Sequence, residues 1–293
     1  MTVAQRILQS VLYADMFHHP LTEREVWRWI PTGTSISKKA FHQELKKLVR
    51  QKIVVVVSPF VVLSKHKNYI GIHAARFMTS QKKWKLARRV ARMLRFIPTI
   101  LFVGVTGSLA MNNTEEQDDI DFCIITATGT VWITRLLTTV VVELFSHRRH
   151  PNETNIKDTI CLNMFLSENS LRMDANHQDE YIAHELLQMV PLWERKGIAK
   201  KLLRANAWVK LQYRHAYEEK MKQVVHRRPR LVKWEQILRI FEKPVMWLQI
   251  QYMKKRRTVE EISLEQIQFH PTDIRGQIIS SYLSACKSYK IDR

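Results

Sequence analysis

The chain has 293 residues, of which 45% are hydrophobic and 25% are charged, which excludes an intrinsically disordered protein and allows two or three small domains. The 47 Lys and Arg residues outnumber the 27 Asp and Glu residues, and the net charge of +20 favours polyanionic partners, although a basic surface can also serve solubility alone. Only 7 residues are glycine, which argues against a Gly-rich dinucleotide-binding fold.

Residues 1–79 are predicted to form a winged-helix domain. Apolar spacing, N-cap residues and β-branched runs predict three helices and a hairpin, over residues 3–16, 21–30, 37–50, 53–57 and 60–64. Three helices followed by a hairpin is the order of a winged helix, whose third helix can enter a nucleic-acid groove. That helix carries five cations: Lys38, Lys39, Lys46, Lys47 and Arg50. A role in docking alone is an equal alternative.

Residues 80–97 are predicted to form a basic linker helix, with a domain boundary near Pro98. Seven cations and no acid lie between residues 80 and 95: Lys82, Lys83, Lys85, Arg88, Arg89, Arg92 and Arg95. A basic helix is often only a solvated face, but this excess of positive charge favours contact with a polyanion.

Residues 98–170 are predicted to form a small α/β core. Apolar runs predict three strands and one helix, over residues 99–105, 120–126, 159–166 and 131–145. The helix is too short to cross a bilayer, which takes about 20 residues, so no transmembrane segment is expected. His147 and His150, with two arginines between them, could grip phosphate or metal, but an exposed basic loop is favoured.

Residues 171–293 are predicted to form an all-helical region. Helices are expected over residues 180–190, 200–217, 222–257 and 273–289. Residues 222–257 contain eleven Lys and Arg residues against two acids, with aromatic residues at Trp234, Phe241, Trp247 and Tyr252. These aromatic residues could stack on bases, but their helical spacing favours a core position. His184 and Glu185, on an amphipathic helix, are interpreted as structural.

The three cysteines, Cys123, Cys161 and Cys286, lie far apart and form no Cys-x-x-Cys pair. Their odd number argues against a disulfide framework. Because the first residues also lack a basic stretch followed by a long apolar one, we expect a reducing, cytoplasmic location.

Two short motifs on consecutive predicted strands carry the chemistry. Gly107 and Ser108 follow the first strand, and Asp119 and Asp121 open the next one. A glycine lets the backbone approach phosphate, and a serine at a helix start offers hydroxyl and N–H donors. Carboxylates at positions i and i+2 of a strand point to one face, where they can share a divalent cation. A helix cap followed by a solvated loop would leave Asp121, a charge within an apolar strand, unexplained.

Together these motifs resemble the signature of the polymerase-β-type nucleotidyltransferases, a Gly-Ser pair after one strand and an Asp-x-Asp pair on the next. Gly107, Ser108, Asp119 and Asp121 match it, and the likeness covers roughly residues 96–170. It implies that Asp119 and Asp121 bind Mg²⁺ or Mn²⁺ and act in catalysis, while Gly107 and Ser108 hold the triphosphate of an NTP. The wider layout resembles bacterial nucleotidyltransferase-domain proteins with an N-terminal winged helix.

One position departs from the family pattern. Many members have a third carboxylate on the neighbouring strand, where the best-placed polar residue of this chain is Asn163. An Asn carbonyl can bind a metal ion but cannot act as a base, so Asn163 is predicted to be a metal ligand only. Some members work with the Asp-x-Asp pair alone.

The resemblance implies a Mg²⁺-dependent enzyme that transfers a nucleoside monophosphate from an NTP to an acceptor hydroxyl or phosphate, releasing pyrophosphate. The C-terminal helices would help to bind the acceptor, and the basic surfaces favour an anionic one such as RNA or DNA. One alternative is a non-catalytic nucleic-acid-binding or nucleotide-sensing regulator with a degenerate nucleotidyltransferase fold. Another is an enzyme that modifies a small molecule or a partner protein.

Overall fold

The N-terminal unit consists of three helices and a three-stranded sheet. The computed structural model describes residues 1–31, 36–150, 153–195, 197–223, 227–228, 231–253, 260–269 and 274–291. The elements of the unit are α1 (Val3–Asp15), β1 (Leu21–Thr22), α2 (Glu23–Arg28), α3 (Lys38–Arg50), β2 (Val54–Val57) and β3 (Phe60–Leu63). Its sheet is antiparallel, in the order β1-β3-β2. The predicted helices and hairpin are confirmed, and β1 is an additional short strand.

Side-chain caps fix where these helices begin. Thr2 and Thr22 each form a capping box, with Gln5 and Glu25 returning a hydrogen bond to the cap residue. Ser37 caps α3. The cations of α3 are all exposed to solvent, as predicted: Lys38, Lys39, Lys46, Lys47 and Arg50. The polar face of α3 is therefore free of contacts with the central sheet.

One long helix, α4 (Tyr69–Leu94), follows a 3₁₀ turn at Ser64–His66 and leads to the central sheet. The predicted boundary between residues 79 and 80 therefore falls inside a continuous helix and not in a linker. Six of the seven cations expected on a basic surface are exposed, but Lys83 is buried. It lies on the same side of α4 as the buried Ala87 and Val90, and that side packs inward.

A seven-stranded mixed sheet forms the centre of the protein. Its strands are β4 (Ile100–Val105), β5 (Ile120–Thr126), β6 (Ile160–Ser167), β7 (Val190–Arg195), β8 (Arg227–Arg228), β9 (Glu260–Ile262) and β10 (Gln266–Phe269). Their order is β8-β7-β4-β5-β6-β10-β9; the pairs β5–β6 and β7–β8 are parallel and the others antiparallel. The three strands predicted from the sequence are confirmed to within one residue at each end.

The prediction that residues 171–293 are all helical is wrong, because β7 to β10 come from this region. β7 pairs with β4 although it contains a proline. Pro191 lies opposite Gly104, where the register of the pair shifts and the N–H that proline lacks is not needed for regular pairing. A six-residue strand with a proline gives too weak a sequence signal to be separated from the helices around it.

The remaining helices cover the sheet. They are α5 (Gly107–Ala110), α6 (Val131–Phe145), α7 (Glu180–Gln188), α8 (Ile198–Ala205), α9 (Val209–Gln212), α10 (Arg214–Lys222), α11 (Val232–Arg239), α12 (Glu242–Met253) and α13 (Ile274–Ser288), with a 3₁₀ turn at Ala175–His177. The single helix predicted over 200–217 is divided among α8, α9 and α10. Within residues 222–257, predicted to be helical, α11 and α12 are observed and β8 is a strand, while residues 224–226, 229–230 and 254–257 lie outside the described residues.

The fold is mixed α/β, with a hydrophobic core on each face of the sheet. On one face, strand residues such as Val103 and Phe122 pack against α4, α6 and α12. On the other, Phe102, Cys123 and Ile125 pack against α7 to α10, in a core that continues into the N-terminal unit. Because side chains alternate along a strand, Asp121 shares the face of Cys123 and points toward the layer that contains α7.

Candidate metal centre

Gly107 brings the end of β4 against Asp121 on β5. The two strands are antiparallel, so β4 ends where β5 begins, and the Thr106 N–H donates to the Asp121 carbonyl at 3.1 Å. Gly107 has a φ of +64°, and a Cβ on it would lie 2.6 Å from Asp121 Oδ2. A side chain at position 107 would therefore be strained and would displace the carboxylate.

Two carboxylates and a thiol form the centre of the site. One carboxylate oxygen each from Asp119 and Asp121 and the Sγ of Cys161 lie within 4.8 Å of one another. β5 and β6 are parallel and Asp121 pairs directly with Cys161, which places both side chains at the same edge of the sheet. This cluster of Asp119, Asp121 and Cys161 could hold a metal ion.

Asn163 approaches the cluster from β6, as predicted. Its Nδ2 donates to Asp121 Oδ1 at 2.9 Å, while its own Oδ1 is buried and has no hydrogen-bond partner. Rotation of the amide by half a turn would present this oxygen to the carboxylates. A free buried oxygen beside two acids is a suitable ligand for a hard cation, because such cations bind carbonyl and carboxylate oxygens.

The acidic groups of the cluster resist ionisation. Burial raises the pKa of Asp121 to about 8, and the charges of Asp119 and Glu185 add to this effect. Burial also raises the pKa of Cys161 well above its ordinary value, so Cys161 is a thiol. A cation among these groups would favour their charged forms.

Arg149 places a positive charge next to Asp119. It lies in the loop between α6 and β6, and its guanidinium donates to Asp119 Oδ2 at 2.7 Å. Its backbone N–H donates to the Ile160 carbonyl at 3.0 Å, which fixes the loop beside the site. The favoured prediction of a merely exposed basic loop at residues 147–150 is therefore wrong for Arg149, because the unpaired charge of Asp119 attracts it.

A third carboxylate reaches the site from α7. Glu185 accepts a hydrogen bond from the Gly107 N–H and raises the pKa of Asp121 by its charge. Burial raises the pKa of Glu185 itself to about 7. Glu185, interpreted from the sequence as structural, therefore lies beside Gly107, although it is not one of the three residues whose ligand atoms form the cluster.

Ser108 follows Gly107, and its hydroxyl is hydrogen-bonded to the loop before β5. It donates to Asp118 Oδ2 at 2.9 Å, and the same oxygen accepts the Glu115 N–H at 2.9 Å. The predicted contact of this hydroxyl with a triphosphate stays a prediction, and in this arrangement the hydroxyl is engaged by Asp118. Ser108 instead shapes the loop that leads into β5.

Lys83 holds the same loop from the other side. Its Nζ donates to the carbonyl oxygens of Glu116 and Asp118 at 3.2 and 2.7 Å, and to Asp158 Oδ1 at 2.8 Å. The loop therefore reaches Asp119 with its backbone fixed. This explains why one cation of an otherwise exposed set is buried.

The residues that sequence reasoning missed differ in how visible they are. Cys161 stands two positions before Asn163, so strand alternation could have placed both on one face. Glu185 is distant in sequence, and only the packing of α7 shows where it points. Arg149 belongs to the basic loop between His147 and His150, but its charge alone does not indicate that it faces Asp119.

Comparison of the chain with protein-family models, with curated proteins and with solved structures finds no significant match. Among the helices of the described residues, none combines the length and the hydropathy needed to cross a membrane.

Proposed function

We propose that this protein is a metal-dependent nucleotidyltransferase of the polymerase-β type, with an N-terminal winged helix. The observation that carries the proposal is the cluster of Asp119, Asp121 and Cys161 beside a glycine turn that has no space for a side chain. A glycine turn facing paired carboxylates is the arrangement that the sequence motifs imply. The order of elements in the N-terminal unit agrees with a winged helix.

The residues present fit a divalent cation. Asp119 and Asp121 supply carboxylate oxygens, and the unpartnered Oδ1 of Asn163 supplies a neutral one. This set of oxygen ligands suits Mg²⁺ or Mn²⁺. When bound, the cation would neutralise phosphate charge and polarise the phosphoryl group under attack.

The chain's own residues then orient the substrates. The backbone at Gly107 can approach the triphosphate closely, since position 107 carries no side chain. Arg149, whose side chain is one-third exposed, can exchange Asp119 for a phosphate oxygen. Glu185 is placed beside Gly107 to accept the proton of an acceptor hydroxyl.

The acceptor is proposed to be anionic. The exposed cations of α3 and α4 form surfaces that would attract a polyanion such as RNA or DNA. These surfaces lie on helices that come before the central sheet in the chain. The metal centre lies where β5 and β6 begin.

The proposal is tested by incubating the protein with each labelled NTP, Mn²⁺ or Mg²⁺, and cellular RNA, protein or metabolites. Label should appear in one acceptor fraction with release of pyrophosphate. Asp121→Asn should abolish transfer. Asp174→Asn is the matched control, because Asp174 caps an exposed 3₁₀ turn and asparagine caps equally well. Equal transfer by wild type and Asp121→Asn would disprove the proposal.

A nucleotide-sensing role is the second candidate. It is favoured by the internal contacts that Arg149 and the Gly107 N–H already make, with Asp119 and Glu185. Saturable binding of an NTP that Asp121→Asn weakens, without pyrophosphate release from any acceptor fraction, would establish this role.

A further inference from the structure

The outward faces of α11 and α12 are apolar and aromatic. On α12, a pair of exposed residues recurs at each helical turn, at 243–244, 247–248 and 251–252, and Trp247 is 60% exposed. On α11 and the turn after it, Trp234 and Ile240 are 58% and 75% exposed. The exposed apolar residues of this α11–α12 face are Leu231, Val232, Trp234, Ile237, Ile240, Phe241, Pro244, Trp247, Leu248 and Tyr252. The prediction that its aromatic residues belong to the core is therefore wrong.

The opposite side of α12 is already committed to the protein core. Val245, Met246 and Ile250 pack against the core beneath α6. Gln249 Nε2 donates to the Trp132 carbonyl at 2.8 Å. Because this inner side is fixed, α12 cannot turn its tryptophan and leucine inward, and the α11–α12 face stays in solvent.

The acidic and basic residues of α11 and α12 differ in their exposure to solvent. Both acids are buried, and Glu242 accepts the backbone N–H groups of Trp132 and Ile133 at 2.9 and 3.0 Å, at the start of α6. The exposed charged residues between 231 and 253 are Lys233, Arg239 and Lys243. The α11–α12 face is therefore apolar and cationic, and residues 231–253 expose no acid.

Charge complementarity decides among the possible occupants. A second copy of the chain would bring the same cations and the same net charge of +20 against this face. Nucleic acid would match the cations and could stack on the tryptophans, but it offers nothing to leucine, isoleucine and valine. The interface of an anionic bilayer takes aliphatic side chains, tryptophan and lysine together.

We propose that the α11–α12 face binds the surface of membranes that contain anionic lipids. The helices lie along the interface, with their apolar side chains among the acyl-chain ends and Lys233 and Lys243 at the headgroups. α12, about 18 Å long, rests in the plane of the bilayer surface and does not cross it. This inference is independent of the proposed transferase activity, because the metal-centre residues are not part of the face.

The test is co-sedimentation of the full chain with vesicles of phosphatidylcholine, with and without phosphatidylglycerol. Wild type should bind the anionic vesicles and should bind less as salt is raised. Replacing Trp247 and Leu248 together by serine should lower partitioning at least about tenfold. Lys233→Gln and Lys243→Gln should each lower it about fivefold at low salt.

Matched controls come from exposed residues elsewhere. Leu211→Ser removes an apolar side chain that is 78% exposed on α9, and Lys38→Gln with Lys46→Gln removes two cations from α3; neither change should alter partitioning by more than about twofold. Failure to bind anionic vesicles, or equal losses in the controls, would overturn the proposal. It would also be overturned if Trp247→Ser weakened only the binding of single-stranded DNA, or only dissociated a dimer.

Discussion

Replacing Asp121 by asparagine should stabilise the folded protein at pH 8 when no divalent cation is added. The pKa of this carboxyl rises from 3.8 to about 8 because loss of solvent around the half-buried Asp121 and the charges of Asp119 and Glu185 disfavour its ionised form. Between these two values the folded state binds more protons than the unfolded chain. The contribution of Asp121 to stability is therefore complete below pH 3.8 and is lost as pH rises through about 8.

The size of the effect follows from the shift. Four pKa units correspond to a ceiling of about 5 to 6 kcal/mol. Part of that shift comes from the charges of Asp119 and Glu185, which relax when Asp121 ionises, so we expect a net gain of about 2 to 3 kcal/mol for the variant. In a chain of this size the gain corresponds to roughly 5 °C in Tm.

Thermal and urea unfolding from about pH 4 to about pH 9, with chelator and with Mn²⁺, measure this effect. Without cation at pH 8, Asp121→Asn should unfold at a higher temperature and a higher urea concentration than wild type. Its stability should also fall less steeply as pH rises, and the remaining fall would come from the ionisation of Glu185. With Mn²⁺, only wild type should gain stability. Asp119→Asn is the contrasting variant, since it breaks the ion pair with Arg149 and should not stabilise the protein. Earlier unfolding of Asp121→Asn at pH 8 in chelator would refute the reasoning.

Three further changes test how the site is held. Gly107→Ala should lower Mn²⁺ affinity at least about tenfold, because its Cβ would meet Asp121. Gly129→Ala is the control, since Gly129 has a similar φ of +67° but faces the flexible side chain of an arginine. Calorimetric titration with Mn²⁺ compares the two variants, and equal losses of affinity would point to backbone strain alone. Lys83→Met should cost about 2 to 3 kcal/mol in urea unfolding by removing the three hydrogen bonds that the buried ammonium donates, whereas the exposed Lys85→Met should be neutral. Matching midpoints for the two variants would contradict a role of Lys83 in fixing the loop. Under the proposed function, Glu185→Gln should lower kcat at least about a hundredfold with an unchanged or lower KM for the NTP. Steady-state pyrophosphate release measures both constants, with Glu180→Gln as the control. A rise in KM alone would show that Glu185 does not take part in the chemical step.

The local parts of the fold could be predicted because local chemistry sets them. The capping box of Thr22 with Glu25, the hairpin around Ser58-Pro59 and the apolar run of β5 each have a sequence signal of a few residues. Within the site, the spacing of Asp119 and Asp121 along a strand fixes their common face, and the placement of Asn163 followed from the expected neighbouring strand.

The rest depends on packing between distant segments, which one sequence does not encode visibly. Lys83 has the same local sequence pattern as the exposed cations around it, and only the loop before Asp119 explains its burial. β7 pairs with the side of β4 that β5 leaves unpaired, and this side exists only once the sheet has formed. Glu185 reaches Gly107 because α7 packs on the sheet face that Asp121 shares.

The placement of α7 links the N-terminal unit to the candidate metal centre. His184, the residue before Glu185, is buried between the rings of Tyr13 and Trp29, with centroid distances of 3.8 and 4.2 Å. Burial, and then the charge of Arg28, hold the pKa of His184 well below its ordinary value, so the ring stays neutral in this stack. Tyr13 belongs to α1 and Trp29 is the C-cap of α2. The N-terminal helices therefore pack against α7 at the residue next to Glu185. A division of the chain after residue 79 would therefore separate Glu185 from the packing that aims it, and the N-terminal unit is part of the framework of the site whether or not its lysines contact nucleic acid.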